Sequence, residues 1–233
     1  GHGMPLRMGV WRTAHHNKKL GQVKVLHQNV DSLVVQVNYL LTDVQAAYTV
    51  TYLVDAQASV TVRTFMQLPD ALPELPRFGM RLELPKEFDS LAYYGRGPFE
   101  NYPDRNFAAH LGLYTTQVSE MYVPYIRPQE NGHRTEVRHL QIFGTESGVT
   151  ISAIHEPFGF NAAHNHVEDF DPGLTKKQMH AGHIVPKPLT ALYIDYRQCG
   201  VGGDNSWGAL PHAPYRLLQK QYSFSYKVSL HKL

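Results

Sequence analysis

Short runs in which apolar and polar residues alternate dominate the chain, and they predict β-strands. In residues 222–230 every second side chain is apolar or aromatic, so one face of a strand would be buried and the other would meet water. Residues 33–40, 48–54 and 59–65 are rich in β-branched and aromatic types and are separated by short turns, which predicts an antiparallel meander. Further strands are predicted at 79–84, 90–94, 136–143, 149–154 and 189–197.

Signals for helices and domain boundaries are weak. Residues 8–19 predict a short helix at most, because Gly9 and two adjacent histidines oppose it. Residues 67–76 hold Pro69, Pro73 and Pro76 and predict a connection, between two sheets of one sandwich or between two domains. A chain of 233 residues fits one large β-sandwich, so a single domain over 1–233 is predicted.

Composition narrows the possible partners. Hydrophobic residues make up 42% and charged residues 18%, which excludes a mainly disordered chain. Lys and Arg number 22 against 20 Asp and Glu, a net charge of +2 that predicts neither a nucleic acid nor an anionic membrane as partner. The single cysteine, Cys199, excludes an internal disulfide.

Four histidines in the long connection over 157–187 raise the question of a metal. They form two closely spaced pairs, His164 with His166 and His180 with His183. Imidazoles so placed can form a ligand set, but they are equally typical of ordinary loop histidines in a chain with 14 of them, and no strong ligand spacing is present. We predict no metal and leave the set open.

Four carboxylates lie in or beside the long connection over 95–134, namely Glu100, Asp104, Glu130 and Glu136. Glycoside hydrolysis needs two carboxyl groups roughly 5–10 Å apart. Asp104 is next to Arg105, and Glu130 lies between Arg127 and Arg134. These neighbours favour structural ion pairs that order a loop over catalysis.

The segment 200–208 is the local feature that says most about function. Its glycines permit a tight turn, and its Asp, Asn and Ser side chains can bind the turn's own amides. The loop would hold Trp207 in one pose, where an exposed indole could stack on a sugar ring. A buried core role for Trp207 is an equal alternative from local chemistry.

Three motifs occur in the order known from one family. They are Glu-Asn-Tyr-Pro-Asp-Arg at 100–105, Tyr-Val-Pro-Tyr-Ile-Arg-Pro-Gln-Glu-Asn-Gly at 122–132, and Asp-Tyr-Arg at 195–197 with Gly-Val-Gly-Gly-Asp-Asn-Ser-Trp at 200–207. They resemble the C-terminal, small-chain type domain of glycoside hydrolase family 2 β-galactosidases, in a form similar to the Bacteroidetes-type branch. The resemblance spans almost the whole chain.

The resemblance implies a fold and a division of labour. The fold would be all-β, a large antiparallel β-supersandwich of the galactose-mutarotase-like type. Catalytic carboxylates would belong to a (β/α)₈ barrel outside this chain, so no catalytic residue is expected here. Trp207 would bind substrate, on a supporting loop made of Gly202, Gly203, Asp204, Asn205 and Ser206.

The resemblance also implies partners. The parent would hydrolyse terminal β-D-galactosides by a retaining mechanism, and this chain would contact its barrel. A magnesium site, with sodium as a second candidate ion, would lie in the barrel and no cofactor in this domain. The chain begins without Met, which predicts a domain cut from a longer protein. The resemblance implies a bacterial parent; its compartment, cytoplasmic or periplasmic, and its assembly as a homo-oligomer stay open.

Two other functions stay open. One is a free-standing carbohydrate-binding module, or the small subunit of a two-chain β-galactosidase. The other is a mutarotase-like aldose epimerase. Such an epimerase would need an acid–base pair, for which His155 with Glu156, or His164 and His166, are the nearby candidates.

Overall fold

The structure is a computed structural model that describes residues 4–171, 173, 179–205 and 207–233. Antiparallel strands are its main secondary structure. The described residues contain thirteen strands. They are β1 (Lys18–Gln28), β2 (Ser32–Leu41), β3 (Ala46–Asp55), β4 (Ser59–Gln67), β5 (Arg77–Pro85), β6 (Ser90–Gly97), β7 (His110–Gln117), β8 (Arg134–Val137), β9 (His139–Phe143), β10 (Ser147–Ala153), β11 (Phe158–Ala163), β12 (Leu189–Gln198) and β13 (Gln221–Lys232).

Two antiparallel sheets share these strands. The large sheet has nine strands in the order β1-β2-β3-β4-β13-β10-β9-β6-β7. The small sheet has four, in the order β5-β12-β11-β8. The predicted all-β antiparallel supersandwich is therefore confirmed, and the proline-rich residues 67–76 connect β4 of the large sheet to β5 of the small one.

Aromatic side chains fill the space between the sheets. Tyr93 on β6 meets Phe160 on β11 with ring centroids 5.1 Å apart, and Tyr48 on β3 meets Phe78 on β5 at 6.5 Å. The alternation predicted for β13 holds, since Tyr222, Phe224 and Tyr226 are all buried. One contiguous core thus spans both sheets.

The strand predicted over 136–143 is two strands that belong to different sheets. β8 pairs with β11 in the small sheet, whereas β9 pairs with β10 and β6 in the large one. The break between the two strands falls at Arg138, and Glu136 within β8 has a φ of 54°, a left-handed conformation that departs from extended backbone. The apolar pattern runs through this break and does not reveal it.

Three strands are absent from the predicted set. β7 lies inside the long connection over 95–134, and β11 inside the one over 157–187. All six residues of β11 are buried, so the strand has no polar face and no alternation to detect. β1 is exposed along its whole length and pairs only with β2 among the described strands.

Helical structure is limited to single turns among the described residues. α1 (Met4–Arg7), α2 (Trp11–Ala14) and α3 (Val118–Met121) have four residues each, and 3₁₀ turns occupy Val167–Phe170, Ala181–His183 and Ala213–Tyr215. The helix predicted over 8–19 is wrong beyond residue 14, because β1 begins at Lys18 and pairs with β2. No helix in the described ranges is long and apolar enough to cross a membrane.

Candidate functional site

Trp207 stands on the loop that follows β12. Its side chain is 91% exposed, so the alternative of a buried core anchor is wrong. The Trp207 amide donates a hydrogen bond to the Asn205 side-chain oxygen at 2.8 Å, the Asx turn that the sequence predicts. Gly208 follows with a φ of +117°, which a residue with a side chain rarely adopts.

A carboxylate from a distant loop holds the start of the Trp207 loop. Asp104 accepts hydrogen bonds from the backbone amides of Val201 at 3.1 Å and Gly202 at 2.8 Å. A side chain at Gly200 would overlap this carboxylate. The loop is therefore tied to residues almost a hundred positions earlier in the chain.

The far side of the Trp207 loop is closed by contacts within the loop. Asp204 lies 2.8 Å from Nε2 of His212. A Cβ on Gly203 would overlap the carbonyl oxygen of Ala209, so only glycine allows this close approach. Of the predicted supporting residues, Ser206 lies outside the described residues.

A second tie joins the loop that carries Asp104 to the segment 122–132. Glu100 accepts hydrogen bonds from Arg105 and Tyr125, and its other oxygen accepts one from the Gly132 amide at 2.8 Å. Gly132 has a φ of +78°. The three motifs of the sequence thus converge, because Glu100 and Asp104 link them.

The converging loops also expose large apolar side chains. Phe99 is 50% exposed, Phe107 91% and Ile126 83%. Phe99 and Phe107 line a hollow of about 480 Å³ together with Arg105. We group these side chains with Trp207 as the loop face (Phe99, Phe107, Ile126 and Trp207), because Asp104 and Glu100 link the loops that carry them. Exposed apolar groups of this size are typical of surfaces that bind a partner.

Behind the loops lies a buried group of charges. Arg77 on β5 binds Asp195 on β12 through two guanidinium nitrogens, and Glu130 lies 3.6 Å from a third. Burial raises the pKa of Glu130, and the neighbouring Asp195 adds to the effect while Arg77 opposes it. Burial also lowers the pKa of His133 well below its ordinary value, so this ring stays neutral. One guanidinium here serves two carboxyl groups.

The four carboxylates of the sequence are structural, as predicted, but several of their predicted partners are wrong. Asp104 binds backbone amides and makes no ion pair with Arg105 among the described contacts, and Glu130 meets Arg77 rather than Arg127 or Arg134. The partners of Asp104 and Glu130 therefore come from distant parts of the chain, which adjacency in sequence does not reveal. Glu136 pairs with Arg96 at 2.9 Å.

In the part of the chain that the structure describes, the four candidate histidines do not gather into one ligand group. Both ring nitrogens of His164 are engaged, one with the Leu189 carbonyl at 2.9 Å and the other with Asp89 at 3.0 Å. Within residues 4–171, 173, 179–205 and 207–233, no three donors from the set gather within 4.8 Å of one another; the set is His164, His166, His180 and His183.

One group that the sequence did not suggest has ligand geometry. His15, His16 and Glu168 bring their donor atoms within 4.8 Å of one another, all on exposed side chains. Glu168 is already held by Arg81 at 3.1 Å. Hydrogen bonding from His15, followed by the charge of Arg81, lowers the pKa of Glu168 to about 2. A cation would have to displace Arg81, so the group is best understood as an ion-pair cluster.

The sequence did not indicate the roles of two residues that shape the site. Asp104 was predicted to pair with Arg105, because nothing in the sequence shows that the folded chain brings its carboxylate to the amides of Val201 and Gly202. Arg77 carried no signal, since it lies at the edge of a predicted strand and its carboxylate partners are 53 and 118 positions away.

Comparison with known proteins completes the description. The family model described as β-galactosidase small chain matches residues 2–228. A β-galactosidase of Vibrio cholerae is 35% identical over 173 residues, covering 74% of this chain and 16% of the relative. A β-galactosidase of Priestia megaterium is 32% identical over 212 residues, covering 91% of this chain and 20% of the relative. The chain thus spans about a fifth of the length of these relatives.

Solved structures were compared as well. A glycosyl hydrolase family 38 protein of Enterococcus faecalis aligns with a TM-score of 0.47 at 11% identity, over 93% of this chain and 23% of that one. An aldose epimerase homologue of C. elegans aligns with a TM-score of 0.44 at 9% identity, over 91% of this chain and 69% of that one.

Proposed function

The chain belongs to the β-galactosidase small-chain family, and on that premise we propose that it is the domain that completes the active site of a β-galactosidase without being catalytic alone. The parent would hydrolyse terminal β-D-galactosides, and its catalytic carboxylates would lie in the rest of the protein. Magnesium, with sodium as a second candidate, would be bound there too. We further propose membership of glycoside hydrolase family 2 and its Bacteroidetes-type branch.

Trp207 is the residue proposed to touch the substrate. The observation that carries this proposal is a 91% exposed indole on a loop braced from two sides. An aromatic ring that its loop already holds in one pose loses little entropy on binding. Its role would be to stack on a sugar ring and orient it, since an indole transfers no proton at neutral pH.

The loop face is the proposed contact with the catalytic part. Phe99, Phe107 and Ile126 are exposed on the loops that Asp104 and Glu100 link to the Trp207 loop. Docking this face would bury apolar surface and bring Trp207 to a site formed by the partner. The same face would serve a single long chain or, as the family's description as a small chain favours, a two-chain enzyme.

Nothing in the described contacts favours the epimerase alternative. Glu156 pairs with the exposed Arg197 at 3.0 Å, while His164 binds Asp89. These candidate acid–base groups serve different partners.

The test has two parts. The chain alone should give no hydrolysis of a chromogenic β-galactoside, and turnover that disappears when one of its own carboxylates is replaced would refute the assignment. In the β-galactosidase that contains this chain, Trp207→Ala should raise KM by roughly tenfold and leave thermal unfolding unchanged, because stacking contributes ~1–2 kcal/mol. Trp207→Phe should recover part of the loss.

Phe65→Ala provides the matched control, because Phe65 is an exposed aromatic on β4 outside the loop face. Its KM should equal that of the parent. An unchanged KM in Trp207→Ala would rule out the proposed role of the indole.

A further inference from the structure

The two sheets end in four edge strands within the described part of the chain, and β7 differs from the other three in its charges. β1 carries three lysines, β5 two arginines and a glutamate, and β8 an arginine and a glutamate. β7 has no lysine, arginine, aspartate or glutamate, and no proline. Charges and prolines on an edge strand keep other strands from pairing with it. The edge of β7 lacks this protection.

The backbone of β7 is regular enough to accept another strand. It pairs with β6 without a register shift, whereas the pairing of β1 with β2 shifts twice. At its two ends the backbone is engaged, because Tyr114 donates to the His110 carbonyl at 3.0 Å and the Gln117 amide donates to a glutamate at 3.3 Å. Among the described contacts, no side chain binds the backbone of residues 111–116. A straight, open edge of this kind is a template for β-pairing.

The outer face of β7 is apolar and exposed. Leu111 is 43% exposed and Leu113 is 82% exposed, and the two share one face of the strand because they are two residues apart. Tyr94 on β6 is the cross-strand neighbour of Leu113 and is exposed as well. Exposed apolar side chains beside an open edge indicate that this strand meets a partner.

The charge pattern indicates which partner fits. A second copy of this chain presents the same uncharged edge, so two β7 strands can meet without placing like charges opposite each other. Two β1 strands would bring their lysines together. In an antiparallel pairing about a two-fold axis at Gly112, Leu111 of each copy lies opposite Leu113 of the other. The outer face of β7 is therefore complementary to itself.

From these observations we propose that β7 is a dimerisation edge, on which a second copy of this chain pairs antiparallel and joins the two nine-stranded sheets into one. A single strand pair buries less than the ~1,200 Å² of a standard interface, so the dimer should dissociate on dilution. The proposal does not depend on the role of Trp207, because no residue of the loop face belongs to β7.

The experiment is sedimentation velocity of the chain over a series of concentrations. The mean mass should rise from that of one chain towards that of two. Leu113→Lys should weaken self-association ~10-fold or more, because the two-fold axis repeats the lost leucine contact and the added charge in both copies. Val25→Lys alters an exposed residue of the other edge strand, β1, and is the matched control that should associate like the unmodified chain.

Amide hydrogen exchange locates the contact. Exchange of the β7 amides that point away from β6 should slow as the concentration of the chain rises, and Leu113→Lys should remove this protection. The proposal is overturned if the chain stays monomeric at every concentration, if Leu113→Lys dimerises like the unmodified chain, or if a dimer forms without protecting β7. It is also overturned if a monomer of the β-galactosidase that contains this chain already protects these amides, since another part of the parent would then cover the strand. Unchanged thermal unfolding of each variant shows that the loss is not a folding defect.

Discussion

Asp104 should control the order of the Trp207 loop, and this prediction can be tested on the chain alone. Its carboxylate accepts two backbone amides of that loop, from Val201 and Gly202. In Asp104→Ala both acceptors vanish and both amides turn to water. In Asp104→Asn one carbonyl oxygen remains, so about half of the effect should persist.

The magnitude follows from the two contacts. A hydrogen bond to a charged acceptor contributes ~1.5–3 kcal/mol when well formed, and solvent at this loop brings each nearer to ~1 kcal/mol. Two such bonds give about 2 kcal/mol, which is a factor of about 30 in the equilibrium between the closed and open loop. The global core is untouched, so unfolding temperature should change little.

Amide hydrogen exchange measures this opening directly, because exchange requires the amide to leave its acceptor. Exchange at Gly202 should accelerate about 30-fold in Asp104→Ala and about fivefold in Asp104→Asn. Asp70→Asn, an exposed aspartate whose side chain makes no described hydrogen bond, is the control. An unchanged Gly202 exchange rate in Asp104→Ala would show that the carboxylate does not hold the loop.

Two further predictions concern stability. Burial raises the pKa of Glu130 above its ordinary value of 4.5. The stability that the protonated carboxyl group contributes is therefore complete below pH 4.5 and is lost as pH rises through the raised pKa. Relative to the parent, Glu130→Gln should become more stable as pH increases, measured by urea unfolding at several pH values; a constant difference would contradict this. The buried side chain of Asn101 donates hydrogen bonds to two carbonyl groups and accepts them from the amide and hydroxyl of Thr135. Asn101→Ala should therefore lower the free energy of unfolding by about 3 kcal/mol and the melting temperature, followed by circular dichroism, by about 6–12 °C. A drop under about 2 °C would show that these four bonds do not stabilise the fold as expected.

An alternating pattern reveals the strands that have one wet face, although β12, predicted over 189–197, is buried along most of its length. β4 and β13 alternate in burial over part of their length because their two faces meet different surroundings. β2 and β3 show little alternation and are predicted from their β-branched and aromatic residues. β11 is buried on both faces, so its strand character has no local signature. The division of strands between two sheets leaves no signal in the sequence either, as the split between β8 and β9 at Arg138 shows.

The candidate site divides in the same way. Its glycines, its Asx turn and the indole at its tip are local chemistry, and the sequence alone determined them together with the family resemblance. Whether Trp207 is exposed or buried depends on what packs around the loop, and only the tertiary structure decided it. Asp104 and Arg77 likewise bind partners that lie far from them in the chain. Such contacts arise when sheets pack, and no short stretch of sequence contains both halves of them.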